Sequence, residues 1–283
     1  MEIGIIRRWE RFFNSAHGNS LIVPLDHGFS MGPIEGINSF ADVDPWLRNP
    51  AIDGVVAHKG LMKHLVANRV AKDMAVCLHI NGTSTLSSDI SEKPLLLDAE
   101  MAVRYGADAI SLDLIFSPDN TARNFSLLGS IARQANHYGL PILVMLNLKK
   151  GTYDPAKLIC LLRQYIRSLC ELGVTAVKLK RPESTEQMHS LLYGICQDIN
   201  IVFAGGVFCN EQAIIEMTSA AVDAGAKGIC VGRNIFQHSR PEALLRKLKS
   251  ALFGSTAKLQ ISRREANGNG REANNGLSRQ PFL

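Results

Sequence analysis

The sequence predicts an α/β protein, a (β/α)8 barrel of the TIM type with a short N-terminal helix and a low-complexity C-terminal tail. Three observations predict it. Eight short runs rich in Val, Ile and Leu recur along the chain, each followed by a longer amphipathic stretch. The runs are almost wholly apolar instead of alternating, as suits parallel strands covered by helices. Eight strand–helix units fit within about 250 residues, the usual size of such a barrel. With 46% hydrophobic residues, the 283-residue chain can bury one large core.

The elements follow in order. MEIGIIRRWERFF carries charge in every turn, which suits a short helix and lacks the apolar segment of a signal peptide, so a cytosolic chain is expected. The strand candidates are SLIVPLD (20–26), DGVVAH (53–58), MAVCLHI (74–80), AISLDL (109–114), PILVMLN (141–147), AVKLK (176–180), IVFAG (201–205) and GICVG (228–232). Between them lie helix signals. Asp154-Pro155 opens LICLLRQYIRSLCELG, with Gly173 just past its end. YGAD (105–108), YGLP (138–141) and AGAK (224–227) supply glycine stops before the next strand, and Asn210 and Pro241 start two more helices. A doubly wound open sheet is the runner-up, but DHGFSMGP after the first strand lacks the Gly-rich fingerprint that fold would carry. The barrel is expected over 1–254. Residues 255–283, polar, rich in Gly and Asn and containing REAN twice, read as a solvated tail.

Composition excludes several function classes. No apolar run approaches the roughly 20 residues that a membrane helix needs. The net charge of +5 is mild and concentrated in the N-terminal helix and the tail, so neither a nucleic-acid nor a membrane partner is expected. Six cysteines without CxxC pairs or zinc-finger spacing read as reduced, packed thiols. No cofactor is expected.

In a barrel of this kind the site belongs at the C-terminal ends of the strands. Reading off those ends gives Asp26 and His27, His58 and Lys59, His79, Asp113, Asn147, Lys178 with Lys180, Gly205-Gly206 and Gly232-Arg233. Side chains alternate along a strand, so Lys178 and Lys180 share one face about 6.6 Å apart, while Val177 and Leu179 take the other. If Val177 and Leu179 pack on helices, Lys178 faces the barrel interior. Desolvation there disfavours its ammonium, and a second cation at Lys180 pushes the same way. A lysine so placed can attack a ketone and form a Schiff base. Lys180 and Arg181 read equally well as the solvated end of the strand. Ile22, Pro24 and Asp26 share a face, which sends the carboxylate into the same mouth for proton transfer; a turn cap ahead of Gly28 is its plain alternative. Gly205, Gly206 and Gly232 let backbone N–H groups approach a phosphate after the seventh and eighth strands, with Arg233 adding a charged contact. His27, His58, His79 and Asp113 are placed for substrate contact. They also raise a rival, a zinc ion polarising a carbonyl, though no HxH or HExxH spacing is present.

VPLDHGFSMGPIEGI, LHINGTSTLSSD, YGADAISLDL, AVKLK, FAGGV and GICVGRNIFQHSRP, in this order from Leu21 to Leu252, resemble the archaeal-type class I aldolases. That family includes fructose-bisphosphate aldolase and 2-amino-3,7-dideoxy-D-threo-hept-6-ulosonate synthase, and GPIEG with TSTLSSD looks closer to the latter. The resemblance implies that Lys178 is the Schiff-base lysine and Asp26 the proton-transfer carboxylate. It also implies that Gly205, Gly206, Gly232 and Arg233 hold a substrate phosphate, and that the chain forms a homo-oligomer of rings or paired rings. The implied substrates are a phosphorylated ketose and an aldehyde such as aspartate semialdehyde, joined in an aromatic or aminohydroxybenzoate route. A fructose-1,6-bisphosphate aldolase and a non-catalytic sugar-phosphate-binding barrel are the alternatives. One position departs from the family: a tyrosine, its proton donor, is replaced by Asn147. The expectation is that a water held by Asn147 and Lys180 takes over.

Overall fold

The computed structural model describes residues 3–13, 18–70 and 73–253. The expected tail, 255–283, lies outside the described residues.

Eight parallel strands close into a ring in sequence order. They are β1 (Ser20–Pro24), β2 (Gly54–Ala57), β3 (Ala75–His79), β4 (Ala109–Phe116), β5 (Ile142–Leu148), β6 (Ala176–Lys180), β7 (Asn200–Ala204) and β8 (Gly228–Cys230). Closure falls between β1 and β8, where Ser20 aligns with Gly228 and Ile22 with Cys230. Gly228 makes that approach possible. Its φ is 142°, and an added Cβ would stand 2.0 Å from the Ser20 carbonyl oxygen.

Alternation along the strands separates two cores. Ile22, Cys77, Met145, Ala176, Val202 and Cys230 point inward, whereas Val177 and Leu179 join the larger core between sheet and helices. The inner core is sealed at its base by the N-terminal helix Ile3–Glu10 and the turn after it, which deliver Trp9 and the fully buried Phe12. A Cβ at Gly54 would lie 2.5 Å from the Phe12 ring, so the small residue at the start of β2 admits the plug. Arg8 donates to the Gly139 carbonyl oxygen at 2.9 Å, and Arg11 pairs with Asp108.

At the same base, side chains entering the even strands satisfy the first amides of the odd ones. Asp53 accepts the Leu21 N–H at 2.8 Å, Asp108 accepts that of Val76 at 2.9 Å, and Thr175 accepts that of Ile142 at 3.2 Å. Burial raises the Asp53 pKa, and the Lys249 ammonium at 2.6 Å, with the Leu21 N–H, opposes it.

The helices start and stop where the residues predict. Asp154 accepts the Ala156 N–H at 3.0 Å and opens a short 3-10 turn, Pro155–Lys157, that leads into the helix Leu158–Glu171. Asn210 caps Glu211–Asp223 by accepting the Ala213 N–H at 2.8 Å, and Pro241 is the first residue of Pro241–Ala251. The first unit departs from the expected strand–helix pattern. Gly32, at φ 75°, and Pro33 stop the helix His27–Met31 after five residues, and short turns, Phe40–Val43 and Asp44–Leu47, complete the connection. β4 runs to Phe116, beyond the expected Leu114, and β8 stops at Cys230, short of Gly232. No described helix is long and apolar enough to cross a membrane.

All six cysteines are free thiols. Cys77 and Cys230 are buried as expected, but Cys160 is exposed on Leu158–Glu171, contrary to the packed role its segment suggested.

Candidate active site

Register places the centre of the site. Asp113 on β4 aligns with Met145 on β5, and Met145 with Lys178 on β6, so the three lie side by side on the inner face. The Lys178 Nζ is 3.6 Å from the Met145 Sδ. Burial pulls the Lys178 pKa down, but the Cys230 sulfur and the Asp26 and Asp113 carboxylates outweigh it and hold the amine above the ordinary lysine value. This corrects the expectation of a lowered pKa: resting Lys178 is an ammonium flanked by acids.

Lys180 does not set that charge. It is exposed at the end of β6 and faces a cavity of about 820 Å³, whose rim includes Asn147, Lys149, Lys150 and Arg181. The solvated-end reading of Lys180 is the one the geometry fits, and the acids and thiol around Lys178 replace it as the groups that govern the amine.

Asp26 follows β1 and stands at the N-cap of His27–Met31, yet its side chain makes no capping bond. Its Oδ1 is buried with no hydrogen-bond partner among the described residues, and the His27 Nδ1 lies 3.7 Å away. The turn-cap explanation therefore fails. Burial opposes ionisation of Asp26, but Lys178, with His79 and His27 behind it, prevails and keeps the carboxyl well below the usual carboxylate range.

Asp113 belongs to a network that only part of the sequence pattern announces. Its carboxylate pairs with Lys93, and the Asn147 amide donates to its Oδ1 at 2.8 Å. Fully buried Asn81 fixes the backbone, donating to the Asp113 carbonyl oxygen at 2.9 Å and accepting the Asp113 N–H at 2.8 Å. Asn147 thus gives one amide N–H to Asp113, and it lines the same cavity as Lys180. Lys93, Asn81 and Cys230 escaped the sequence reading. Lys93 sits in a connection without periodicity, and Cys230 looks like any core residue of a strand.

Burial disfavours the charged form of the histidines. Burial pushes His58 down to about 4 and also lowers His27 and His79. His79 meets the Ser111 Oγ at 2.8 Å, the His58 ring packs edge-on to His79 at 4.9 Å, and His27 lies against Phe236 at 5.5 Å. His58 also lines an apolar cavity of about 440 Å³ with Phe29, Phe40 and Leu61. Each ring has its own neighbours, and among the described residues no three His, Cys, Asp or Glu side chains converge as a metal site would require.

At the tops of β7 and β8, Gly206 adopts φ 73°, and Gly232 opens the short helix Arg233–Phe236. A Cβ at Gly232 would stand 2.8 Å from the Pro24 carbonyl oxygen, and one at Gly205 would meet Val231 at 2.8 Å. Close packing therefore already demands both glycines. Gly206 faces open space, and the Arg233 charge reaches His27. Asn234, another residue the sequence reading passed over, ties the two ends together. It donates to the Gly205 and Val207 carbonyl oxygens at 3.2 and 3.1 Å and accepts the Cys209 N–H at 2.8 Å.

Known proteins resemble this chain in sequence and fold. The model of the DeoC/LacD family aldolases matches residues 20–238. The 2-amino-3,7-dideoxy-D-threo-hept-6-ulosonate synthase 1 of Archaeoglobus fulgidus is 28% identical over 265 residues, covering 94% of this chain and 97% of its own. The class 1 fructose-bisphosphate aldolase of Halobacterium salinarum is 27% identical, covering 84% and 92%. Among solved structures, an archaeal fructose 1,6-bisphosphate aldolase superposes with a TM-score of 0.77 at 24% identity, covering 88% of this chain and 99% of its own. With the family model matching most of its length and the barrel closed as the family's fold requires, the chain belongs to the DeoC/LacD family of aldolases and is an aldolase of class I.

Proposed function

We propose that the enzyme joins a ketose-phosphate donor to an aldehyde bearing a carboxylate or phosphate group, with aspartate semialdehyde favoured by the synthase relative, through an imine at Lys178. The observation that carries this reading is the inward lysine of β6 acted on by the Asp26 and Asp113 carboxylates, with Asp113 in register with it through Met145. The Lys178 ammonium gives its proton to the Asp26 carboxylate, and the free amine adds to the ketone to give a carbinolamine. Asp26 returns the proton to the hydroxyl that leaves as water, forming an iminium ion. Asp26, ionised and without a hydrogen-bond partner on Oδ1, takes the proton from the adjacent carbon and leaves an enamine. The enamine carbon then attacks the aldehyde, and water releases the product and restores Lys178. Gly206 and Arg233 hold the donor phosphate at the ends of β7 and β8.

The acceptor's charge is inferred from the basin beside β5 and β6. Lys149, Lys150, Lys180 and Arg181 line it against one acid, Glu183, a field that favours a carboxylate or phosphate. The Archaeoglobus relative is named as an aminodeoxyheptulosonate synthase, which supports the carboxylate; the Halobacterium aldolase supports glyceraldehyde 3-phosphate. Product formation from dihydroxyacetone phosphate or a deoxy-keto sugar phosphate, followed by NMR with each aldehyde, separates them. Faster coupling to aspartate semialdehyde is expected. Coupling to glyceraldehyde 3-phosphate alone would make the enzyme a fructose-bisphosphate aldolase.

A further inference from the structure

Forming the carbon–carbon bond turns the aldehyde oxygen into an alkoxide, which needs a proton as it develops. The usual candidates in the mouth do not supply one. Asn147 carries an amide. Tyr153, the first tyrosine after β5, lines the basin beside β5 and β6, but its hydroxyl is engaged with that of Tyr165 at 2.8 Å and burial pushes its pKa up. Burial disfavours the protonated, proton-donating form of His27, His58 and His79, and pushes the Cys230 thiol beside Lys178 up to about 11.

A charged donor joins the inner-face network of the nucleophile, whereas Lys180 is exposed at the end of β6. Lys93 pairs with Asp113, whose strand position aligns through Met145 with Lys178. The charges of Lys93, Asp26, Asp113 and Lys178 all act on His79, and Lys93 is held to Asp113 on the inner face. The segment bearing Lys93 is fixed at both sides. Gly82 donates its N–H to the Pro94 carbonyl oxygen at 3.2 Å, Leu96 donates to that of Ile80 at 2.8 Å, and Glu92 pairs with Arg123. The Lys93 side chain is 16% exposed, enough for water to return a proton after each cycle.

We propose that Lys93 is a further catalytic residue of the aldol step, the acid that protonates the acceptor oxygen and the base that removes that proton in cleavage. As the enamine π pair forms the new carbon–carbon bond, the nitrogen lone pair makes the iminium, the carbonyl π pair moves to oxygen, and the Lys93 proton passes to that oxygen. Asp113 orients Lys93, and Asn147 orients Asp113. The position left by the family's tyrosine is thereby filled from the opposite side, by a lysine on the β3 connection.

The inference rests on the imine reading, so its test measures the two steps separately. Dihydroxyacetone phosphate is the donor; exchange of its α-proton in D2O and borohydride trapping report the imine and enamine. Coupling to aspartate semialdehyde or glyceraldehyde 3-phosphate, whichever wild type joins, reports the bond-forming step. Lys93→Ala is expected to keep trapping and exchange within about threefold while coupling falls roughly 10²- to 10⁴-fold, the range of general acid–base catalysis. Added ethylamine should restore part of the coupling to Lys93→Ala. Lys93→Arg, which keeps the ion pair with Asp113 but holds its proton, should stay as slow. Coupling that survives in Lys93→Ala or in Lys93→Arg overturns the proposal, as does equal loss of exchange and coupling, which makes Lys93 structural. Wild type that neither traps nor exchanges the donor overturns the imine reading itself.

Discussion

At the scale of single residues, the site is an exercise in opposing fields. Lys178 loses hydration by its position, yet two carboxylates keep its proton on, so the free amine is scarce at rest. Removing one acid should release it. Asp26→Asn is expected to lower the pH at which borohydride trapping reaches half its maximum, because the carboxylate favours the ammonium. The same variant should lose α-proton exchange. A half-maximum that stays in place or rises contradicts the charge assignment. Arg233 belongs to binding instead. Arg233→Ala removes a contact present in ground and transition states alike, so KM for the phosphorylated donor should rise about 10- to 100-fold, equivalent to about 1.5–3 kcal/mol, with kcat little changed. Equal weakening of an unphosphorylated analogue would make Arg233 structural.

At the scale of elements, most of the architecture was legible because each strand obeys one rule. Ala176-Val-Lys-Leu-Lys alternates, and the burial of Val177 and Leu179 against helices leaves Lys178 inside. The glycines at 139 and 173 stop helices by adopting positive φ, as their place in the chain suggests. The less legible parts are those that join distant segments. Asp113 reads as a polar strand end, and its partner Lys93 lies on a loop, where no period announces it. Lys178 and Lys180 share a face, but alternation says nothing about depth, so the nearest charges to Lys178 came from other strands. The N-terminal helix was visible by its charge pattern, whereas its task of plugging the barrel follows only from Phe12 meeting Gly54. Truncating that plug tests its weight. Phe12→Ala should cost about 3–5 kcal/mol of stability, since a fully buried ring would leave a cavity. Denaturant unfolding gives the number, and a loss below about 1 kcal/mol would place the closure elsewhere.

At the scale of the whole molecule, the barrel separates stability from chemistry. Its base carries the ring plug, the Asp53–Lys249 and Asp108–Arg11 pairs and the amides they satisfy, while Lys178, Asp26 and the groups acting on them gather at the opposite end. Residues on or just after all eight strands contribute to that mouth, so no short sequence motif contains it. The central claim is that Lys178 is the residue that becomes covalently joined to the ketose. Borohydride reduction of the full chain with dihydroxyacetone phosphate, followed by peptide mass mapping, measures this most directly. The account predicts one reduced adduct, on Lys178. An adduct on Lys59, Lys93 or Lys180 with Lys178 unmodified would contradict it.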